Sequence, residues 1–350
     1  MLKSIIFSII KLFPPEVSHL LVLKALKYNP LPKRKVKKDK LLETNLLGYK
    51  LSHPVGLAAG FDKNGEALNG ILKLQFSFIE IGTVTPLAQN GNAKPRVFRF
   101  SEERGIINKL GFPNCGVVKL VNKLINIRKS HPLGSEPIIG VNIGCNKKSK
   151  DPFEDFIFCL KKVYKVADYI TVNISSPNTP GLRNMQEKEN LIKLLKKINK
   201  TRIILEKKFQ RFLPIVIKIS PDIDFTLLKD LINASIKYKL NGVIATNTTI
   251  NKNVFSNTLK NIPNGGISGR PLLKKSNKVL KKVKKYSKNS LQIIGLGGVE
   301  DGITAIEKLK LGASAIQIYT GLIFKGPILI ENILYELSLY KKSNKKLHGK

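Results

Sequence analysis

The sequence contains eight short apolar runs rich in β-branched residues, and each run is followed by a turn bearing Gly or Asn and then a longer amphipathic stretch. This alternation is typical of parallel strands joined by crossover helices. A chain of 350 residues is long enough for one (β/α)8 TIM barrel with an extension. The predicted strands are PVGLAAG near 54, FIEIGTV near 78, IIGVNIG near 138, YITVNIS near 169, IVIKIS near 215, GVIATNT near 242, QIIGLGG near 292 and AIQIYTG near 315.

The N-terminal residues predict a small helical hairpin ahead of this barrel. Residues 2–13 place apolar side chains on one stripe at helical spacing, and Pro14-Pro15 ends that helix. A second helix is predicted from about Pro15 to about Lys27. We therefore divide the chain into an amphipathic hairpin at 1–32, a basic linker and approach to the barrel at 33–53, the barrel at 54–337 and a solvated basic tail at 338–350.

The lysines at 3 and 11 keep the first apolar run below the roughly 18 residues that a membrane-spanning helix requires. The run continues into Pro14, Pro15 and Glu16 without a small-residue cleavage site, which argues against a signal peptide. The hairpin is therefore expected neither to span a bilayer nor to be removed.

The formal net charge of +37 would suit a nucleic-acid partner. However, the basic residues are mostly Lys, and they are scattered through every segment beside abundant Ile and Asn. We interpret them as a solvated surface and expect no nucleic-acid partner. Cys115, Cys145 and Cys159 form no CxxC pair and no Cys/His spacing suited to zinc, so neither a disulfide framework nor a metal site is expected.

Polar residues that look out of place fall at the carboxyl ends of the predicted strands, which is the rim where barrel enzymes build their sites. Each one alone could be a turn or capping residue. Together they form a set of amides, hydroxyls and lysines that suits a planar, anionic, amide-rich ligand, with the demanding chemistry left to a cofactor. The set comprises Asp62, Lys63, Thr83, Asn142, Asn173, Ser176, Asn178, Lys218, Asn247 and Thr248.

The last two strands indicate which cofactor is expected. GLGG at 295–298 and YTG at 319–321, joined by SGR at 268–270, supply backbone N–H groups near helix starts. The loops after strands seven and eight are the usual phosphate site of this fold. A phosphorylated cofactor such as FMN is therefore expected.

Seven longer motifs resemble those of a known family, the class 2, quinone-dependent dihydroorotate dehydrogenases. The resemblance covers essentially the whole sequence. It depends on NISSPNTPGLR at 173–183, GLAAGFDKNGE at 56–66, IEIGTVTP at 79–86, INKLGFPN at 107–114, VIATNTT at 243–249, GGISGRPL at 265–272 and GLGGV at 295–299.

The resemblance implies a role for each matching position. Ser176 matches the base that takes the C5 proton of dihydroorotate while hydride leaves C6 for the flavin, and Lys218 matches the residue beside flavin N1 and O2. Cys stands at the Ser176 position in related soluble enzymes, so the Ser favours the quinone class. The positions matching orotate contacts are Lys63, Asn108, Lys109, Leu110, Gly111, Phe112, Asn173, Asn178, Asn247 and Thr248. The other positions matching FMN contacts are Ala59, Gly60, Phe61, Asp62, Lys63, Thr83, Asn142, Asn173, Thr246, Gly269, Gly298, Tyr319 and Thr320.

The N-terminal hairpin resembles the membrane patch and quinone tunnel of the same family. His19 and Arg99 match contacts to the quinone head, although His19 alone would suggest an ordinary surface histidine. The other histidines, His53, His131 and His348, are interpreted as structural or solvated. The resemblance implies one FMN per chain, dihydroorotate, orotate and a membrane quinone as partners, and a monomer bound peripherally to the cytoplasmic face of the bacterial cell membrane.

Two alternatives stay open on the residues alone. Another FMN barrel, such as a tRNA dihydrouridine synthase, would suit the positive charge, but that family is expected to carry a catalytic Cys and an added helical RNA-binding domain. A basic RNA-binding protein without catalytic activity would need neither the NISSPNT segment nor a flavin. Flavin absorbance of the purified protein separates this second alternative from both enzymes.

Overall fold

The computed structural model describes residues 10, 12–28, 39–178, 182–256, 259 and 261–348. Eight parallel strands close into a barrel in the order β10-β12-β13-β3-β4-β7-β8-β9. This confirms the predicted TIM barrel, and all eight predicted strands are present. They are β3 (Val55–Leu57), β4 (Phe78–Val84), β7 (Ile138–Ile143), β8 (Tyr169–Asn173), β9 (Ile215–Ile219), β10 (Gly242–Ala245), β12 (Gln292–Leu296) and β13 (Ala315–Ile318).

Helices follow the barrel strands and cover the outside of the barrel. Asp151, Asp224 and Asp301 each accept hydrogen bonds from backbone N–H groups in the first turn of the helix that follows them, which fixes where those helices begin. The helices are α1 (Pro15–Tyr28), α2 (Leu68–Ile71), α3 (Val117–Arg128), α4 (Pro152–Val163), α5 (Lys188–Phe209), α6 (Phe225–Lys237), α7 (Leu273–Ser287), α8 (Gly302–Lys310), α9 (Thr320–Lys325) and α10 (Ile328–His348).

Apolar side chains fill both faces of the strands, as expected for a parallel sheet covered on both sides. The larger cluster lies between the strands and the outer helices. A smaller cluster lies at the amino end of the barrel, where Leu46 and Leu51 pack with Phe78, Tyr169 and other inward side chains. These two leucines belong to an antiparallel hairpin, β1 (Thr44–Leu46) with β2 (Tyr49–Leu51), which plugs that end. The sequence had indicated only a linker here.

A second small sheet lies outside the barrel. It pairs β5 (Val97–Phe100), β6 (Gly105–Asn108) and β11 (Gly266–Gly269) in antiparallel fashion, in the order β11-β6-β5. These three strands are not among those that the sequence pattern predicted. Because β6 follows barrel strand β4 along the chain and β11 follows β10, the sheet joins two distant loops of the carboxyl rim.

The second helix of the predicted hairpin is present as α1, while the predicted first helix lies outside the described residues except for Ile10, Leu12 and Phe13. α1 approaches the barrel at Gly70, where an added Cβ would lie 2.0 Å from the carbonyl oxygen of Leu26. Only glycine allows this contact between the two backbones. Helix α1 therefore contacts the protein closely rather than extending into solvent.

The residues predicted as a solvated basic tail are helical as far as the structure describes them. Helix α10 continues from Ile328 to His348 and so includes residues 338–348. Ser338 Oγ donates a hydrogen bond of 2.6 Å to the carboxylate of Asp39, which ties this helix to the segment that precedes the β1–β2 hairpin. The lysines at 341 and 342 are exposed.

Candidate active site

A cavity of about 1360 Å³ opens at the carboxyl ends of the barrel strands and extends beneath helix α1. It brings together most of the residues singled out from the sequence, from strand ends that are distant along the chain. Those on its wall are His19, Ala59, Gly60, Phe61, Asp62, Lys63, Thr83, Arg99, Asn108, Leu110, Gly111, Phe112, Asn173, Ser176, Asn178, Lys218, Thr246, Asn247, Thr248, Gly269, Gly298, Tyr319 and Thr320.

Two predicted residues lie off this wall. The Lys109 ammonium group lies 5.6 Å from the centre of the Phe98 ring, and the contribution of Lys109 to the region is its backbone carbonyl. Asn142 is fully buried beneath the cavity, where it hydrogen-bonds Thr83 and Asn173. Asn142 thus orients residues on the wall from below.

Ser176 lies in the loop that follows β8 and is buried, with 5% of its surface exposed. Its Oγ accepts a hydrogen bond of 3.3 Å from the backbone N–H of Asn178. The side-chain amide of Asn178 in turn donates to the carbonyl of Asn108 at 3.0 Å and to the side-chain oxygen of Asn108 at 3.2 Å. The β8 loop is therefore fastened to the end of β6, and the hydroxyl of Ser176 is held at the cavity surface.

Amide and hydroxyl groups from several strands form one connected network under the cavity. Thr83 Oγ1 donates to Asn142 Oδ1 at 2.6 Å, and Asn173 Nδ2 donates to both residues at 3.1 and 3.2 Å. Asn247 Nδ2 donates to Ser175 Oγ at 3.0 Å, and Ser175 Oγ donates to Asn173 Oδ1 at 3.0 Å. Because these groups hold one another in place, the network fixes the orientation of each amide and hydroxyl group.

Glu80 anchors this network from inside the barrel and is not among the residues predicted from the sequence. Asn142 donates to one carboxylate oxygen at 2.7 Å, while Tyr169, Thr171 and Gln317 donate to the other at 2.9 to 3.2 Å. A signal was available, because Glu80 is a charged residue within the buried strand FIEIGTV. A carboxylate in such a position requires donors around it.

Lys218 lies at the end of β9 and is 5% exposed. Burial lowers the pKa of its ammonium group, and the negative charge of Glu80 partly offsets that effect. The buried Oε1 of Gln317 has no hydrogen-bond partner among the described residues, although its amide nitrogen donates to Glu80. A cation and an unsatisfied acceptor on one cavity wall suit a ligand that carries both accepting and N–H groups, such as a flavin ring.

The three segments predicted to bind phosphate come together on the same wall. Thr320 Oγ1 donates to Ser268 Oγ at 2.9 Å, and Ser276 Oγ in α7 donates to the carbonyl of Gly297 at 2.9 Å. Gly298 has φ 82°, and an added Cβ would lie 2.5 Å from the Cα of Leu273. Glycines and the hydroxyl groups of Ser268 and Thr320 thus lie together beside the starts of α7 and α9, and this composition suits a phosphate group.

Lys63 lies on the wall between this region and helix α1. Its ammonium group donates to the carbonyl of Gly60 at 2.7 Å. Burial lowers its pKa to about 8, while Asp62 and Glu16 raise it and Arg96 lowers it. Asp62 itself accepts hydrogen bonds from the backbone of Glu66 and Ala67, so it fixes the loop that carries the lysine.

His19 lies on α1 with its ring edge-on to Phe61, the ring centroids being 5.5 Å apart. Burial and the nearby charge of Lys63 lower the pKa of His19 to about 3, so the imidazole is neutral near pH 7. Arg99 donates to the carbonyl of Phe13 at 3.2 Å. The histidine is therefore half-buried on the cavity wall and is not an ordinary surface residue.

The remaining predictions concern groups outside the cavity. His53 is buried, as predicted for a structural histidine, and burial lowers its pKa to about 4. His131 is partly buried and its Nε2 lies 2.9 Å from the Pro137 carbonyl, while the side chain of His348 lies outside the described residues.

Within the described ranges there is no group of three or more His, Cys, Asp or Glu side chains placed to hold a metal. In the same ranges, no helix is long and apolar enough to cross a membrane.

Comparisons with known proteins identify the family. A family model described as dihydroorotate dehydrogenase matches residues 41–340. A protein of Legionella pneumophila (strain Corby) named dihydroorotate dehydrogenase (quinone) is 42% identical over 325 residues, which are 92% of this chain and 95% of that protein. A protein of the same name from Buchnera aphidicola subsp. Schizaphis graminum is 43% identical over 342 residues, or 96% of this chain and 100% of its own length.

The fold leads to the same family. A crystal structure of DHODH from Eimeria tenella in complex with ferulenol has a TM-score of 0.87 and 34% identity, and the match covers 95% of this chain and 93% of that one. These relatives give no support to the alternative of a tRNA dihydrouridine synthase. The chain belongs to the dihydroorotate dehydrogenase family, in its quinone-dependent class 2.

Proposed function

We propose that this protein oxidises dihydroorotate to orotate in pyrimidine biosynthesis, with FMN as hydride acceptor and a membrane quinone as final electron acceptor. The observation that carries the proposal is the single cavity that joins Ser176 and Lys218 at the barrel rim to His19 on helix α1. Dihydroorotate is polar and a membrane quinone is apolar, and both would have to reach the same flavin. A cavity that joins a polar region to an apolar region would allow this.

FMN is proposed to bind along the ends of β10, β12 and β13. Gly269, Gly298 and Thr320 would hold its phosphate, and Lys218 with Gln317 would contact its ring. When bound, FMN supplies the site that accepts a hydride. The positive charge of Lys218 would offset the negative charge that reduction places on the ring.

Dihydroorotate is proposed to bind against the amide network. Lys63 would hold the carboxylate, and Asn108, Asn173, Asn178 and Asn247 would hydrogen-bond the pyrimidine groups. Ser176 Oγ would take the proton from C5 as its own hydroxyl proton passes through a relay to water, because a neutral hydroxyl is a poor base and cannot keep both protons. Its Oγ accepts from the Asn178 N–H, which orients the hydroxyl in the loop, and the buried position limits other access of water to the site.

Helix α1 is proposed to face the membrane and admit the quinone. Leu12, Phe13, Val17 and Leu20 are exposed, although large apolar side chains on one surface are costly to leave in water. Other apolar residues of α1 line the cavity, so a lipid-soluble substrate could enter beneath the helix. The neutral imidazole of His19 would then contact the quinone head.

We place the protein peripherally on the cytoplasmic face of the bacterial cell membrane. Cys115, Cys145 and Cys159 are free thiols, which suits a reducing compartment.

Substituting Val17→Glu should weaken binding to phospholipid vesicles in a flotation assay, while the matched change Lys24→Gln on the same helix should not. Equal vesicle binding by all three proteins would argue against α1 as the membrane surface.

The central experiment uses the purified full-length protein under anaerobic conditions. Dihydroorotate should bleach the flavin absorbance band, and a long-chain quinone should restore it. Retention of a full flavin complement without bleaching would refute the proposed activity. For the quinone site, His19→Ala should slow the restoration but leave the bleaching unchanged, whereas His131→Ala, which lies off the cavity, should alter neither step.

A further inference from the structure

Residues 89–96 lie between helix α1 and the two loops of the proposed substrate pocket. Arg96 donates from Nε and Nη2 to the carboxylate of Glu16 on α1, at 3.0 and 2.7 Å. Its Nη1 donates to the carbonyls of Asn90 and Asn92, at 2.6 and 3.0 Å. One guanidinium group therefore fastens the helix to the loop at 90–92.

The same loop contacts both sides of the substrate pocket through Asn92. The side-chain amide of Asn92 donates to the carbonyl of Lys109 at 2.9 Å and to the carbonyl of Asn178 at 3.4 Å. The backbone N–H of Asn92 donates to Leu110 at 2.9 Å. An added Cβ on Gly111 would lie 2.8 Å from the Asn92 side chain, so the packing leaves little room for adjustment.

The ion pair is well shielded from solvent, with 10% of the Arg96 side chain and 23% of the Glu16 side chain exposed. Removing one partner of a shielded pair leaves the other charge poorly compensated, and the structure around it has to relax. Here the group left behind would be the guanidinium that holds the carbonyls of residues 90 and 92. Relaxation would move Asn92 and with it the carbonyls of Lys109 and Asn178.

We propose that the Glu16–Arg96 ion pair is a positioning device that couples the docking of helix α1 to the shape of the dihydroorotate pocket. The proposal rests on the function proposed above and adds a physical link between its two substrate sites. Coupling between two sites is reciprocal. Docking of helix α1 therefore favours orotate binding, and bound orotate favours docking of helix α1. Glu16 makes no hydrogen bond to a proposed substrate contact among the described residues, but its charge raises the pKa of Lys63. Orotate binding is therefore compared at pH 6.5, well below that pKa, so that an effect of removing the Glu16 charge reports the path through Arg96 and Asn92.

The test compares orotate binding by full-length, FMN-loaded wild-type protein and Glu16→Gln. Binding is measured as the change in flavin absorbance on titration with orotate. We expect the dissociation constant to rise about fivefold or more in Glu16→Gln, within the usual range of coupling between sites. Lys24→Gln, which changes an exposed charge on the same helix, should bind like the wild type.

Two further measurements separate positioning from a general loss of structure. In stopped-flow reduction by dihydroorotate, Glu16→Gln should raise the half-saturating concentration and leave the limiting rate unchanged, whereas partial unfolding would reduce the amplitude at every concentration. In the double variant Glu16→Gln with Asn92→Ala, the orotate dissociation constant should rise by less than the product of the two single fold-changes. Both substitutions break the same chain of contacts, so their effects are not independent.

The outcomes are distinguishable. If the wild type binds orotate and Glu16→Gln binds it with the same dissociation constant, the coupling is overturned and the proposed activity is left intact. If the fold-changes of the Glu16 and Asn92 variants simply multiply in the double variant, the proposed path through Arg96 and Asn92 is likewise overturned. A wild-type protein that binds FMN but no orotate would contradict the proposed function and the coupling with it.

Discussion

The clearest test of the proposed substrate pocket is the pH dependence of orotate binding at Lys63. The pKa of this lysine is lowered to about 8, by burial first. The charged groups that face it are Asp62 and Glu16, which raise the pKa, and Arg96, which lowers it, with His19 as a neutral neighbour near pH 7. An ammonium group that binds a carboxylate does so only while it is protonated.

The sign and size of the effect follow directly from this pKa. Below pH 8 the lysine is mostly charged and binds the orotate carboxylate. Above pH 8, each increase of one pH unit lowers the charged fraction of Lys63 nearly tenfold. Between pH 7 and pH 9 the charged fraction falls about tenfold, so the dissociation constant should rise by about the same factor. An unperturbed lysine, with a pKa near 10.5, would produce almost no change over this interval.

The assay is orotate titration followed by flavin absorbance from pH 6.5 to 9.5. Lys63→Arg is the matched control, because a guanidinium keeps its charge throughout this range and reports any ionisation of the ligand itself. The wild-type curve should bend upward near pH 8, and the Arg variant should remain flatter whatever its absolute affinity. Parallel curves for the two proteins would refute the assignment of the carboxylate to Lys63.

Three other variants test other parts of the structure. Ser176→Ala should bind FMN and orotate but slow flavin reduction in stopped flow by roughly a hundredfold or more, and near-normal reduction would remove Ser176 from the mechanism. Lys218→Ala should lower FMN occupancy and slow hydride transfer together, and full occupancy with an unchanged rate would show that Lys218 has no role beside the flavin. Lys308 is fully buried and its pKa is lowered to about 7, so unfolding takes up a proton between pH 7 and 10.5 and stability should rise with pH. Urea unfolding should show a gain of about 2 kcal/mol from pH 7 to pH 9 that Lys308→Met lacks, and an equal gain in both proteins would show that this lysine is not responsible.

The barrel could be predicted from the sequence because its strands are buried on both faces. Each strand therefore reads as a continuous apolar run, such as IIGVNI at 138–143, which stands out from the lysine-rich helices between the runs. The same pattern predicted which strand ends would meet, since polar residues such as Asn173 and Lys218 end these runs and both lie on the observed cavity. Their individual roles came from the resemblance to the family and stay predictions.

The small sheet of β5, β6 and β11 could not be predicted in the same way. Its strands have four residues each, and β11 pairs with β6 across more than 150 residues of chain. Such pairing depends on where the barrel places two loops and not on local preference. The same holds for the Glu16–Arg96 pair, whose members are 80 residues apart. Glu80 is a different case, because a charge inside a buried strand was visible in the sequence.

The hairpin of β1 and β2 has a practical consequence for shortening the protein. Its leucines at 46, 47 and 51 fill the amino end of the barrel, and Asp39 just before it bonds to Ser338 of the last helix. The N-terminal region therefore contains two separable pieces, a helix over the cavity and a stopper for the opposite end. A truncation that begins between residues 29 and 38 should yield a folded barrel without its membrane surface, which would simplify crystallisation. A truncation that begins after residue 51 would leave Phe78 and Tyr169 open to water, and such a protein should aggregate.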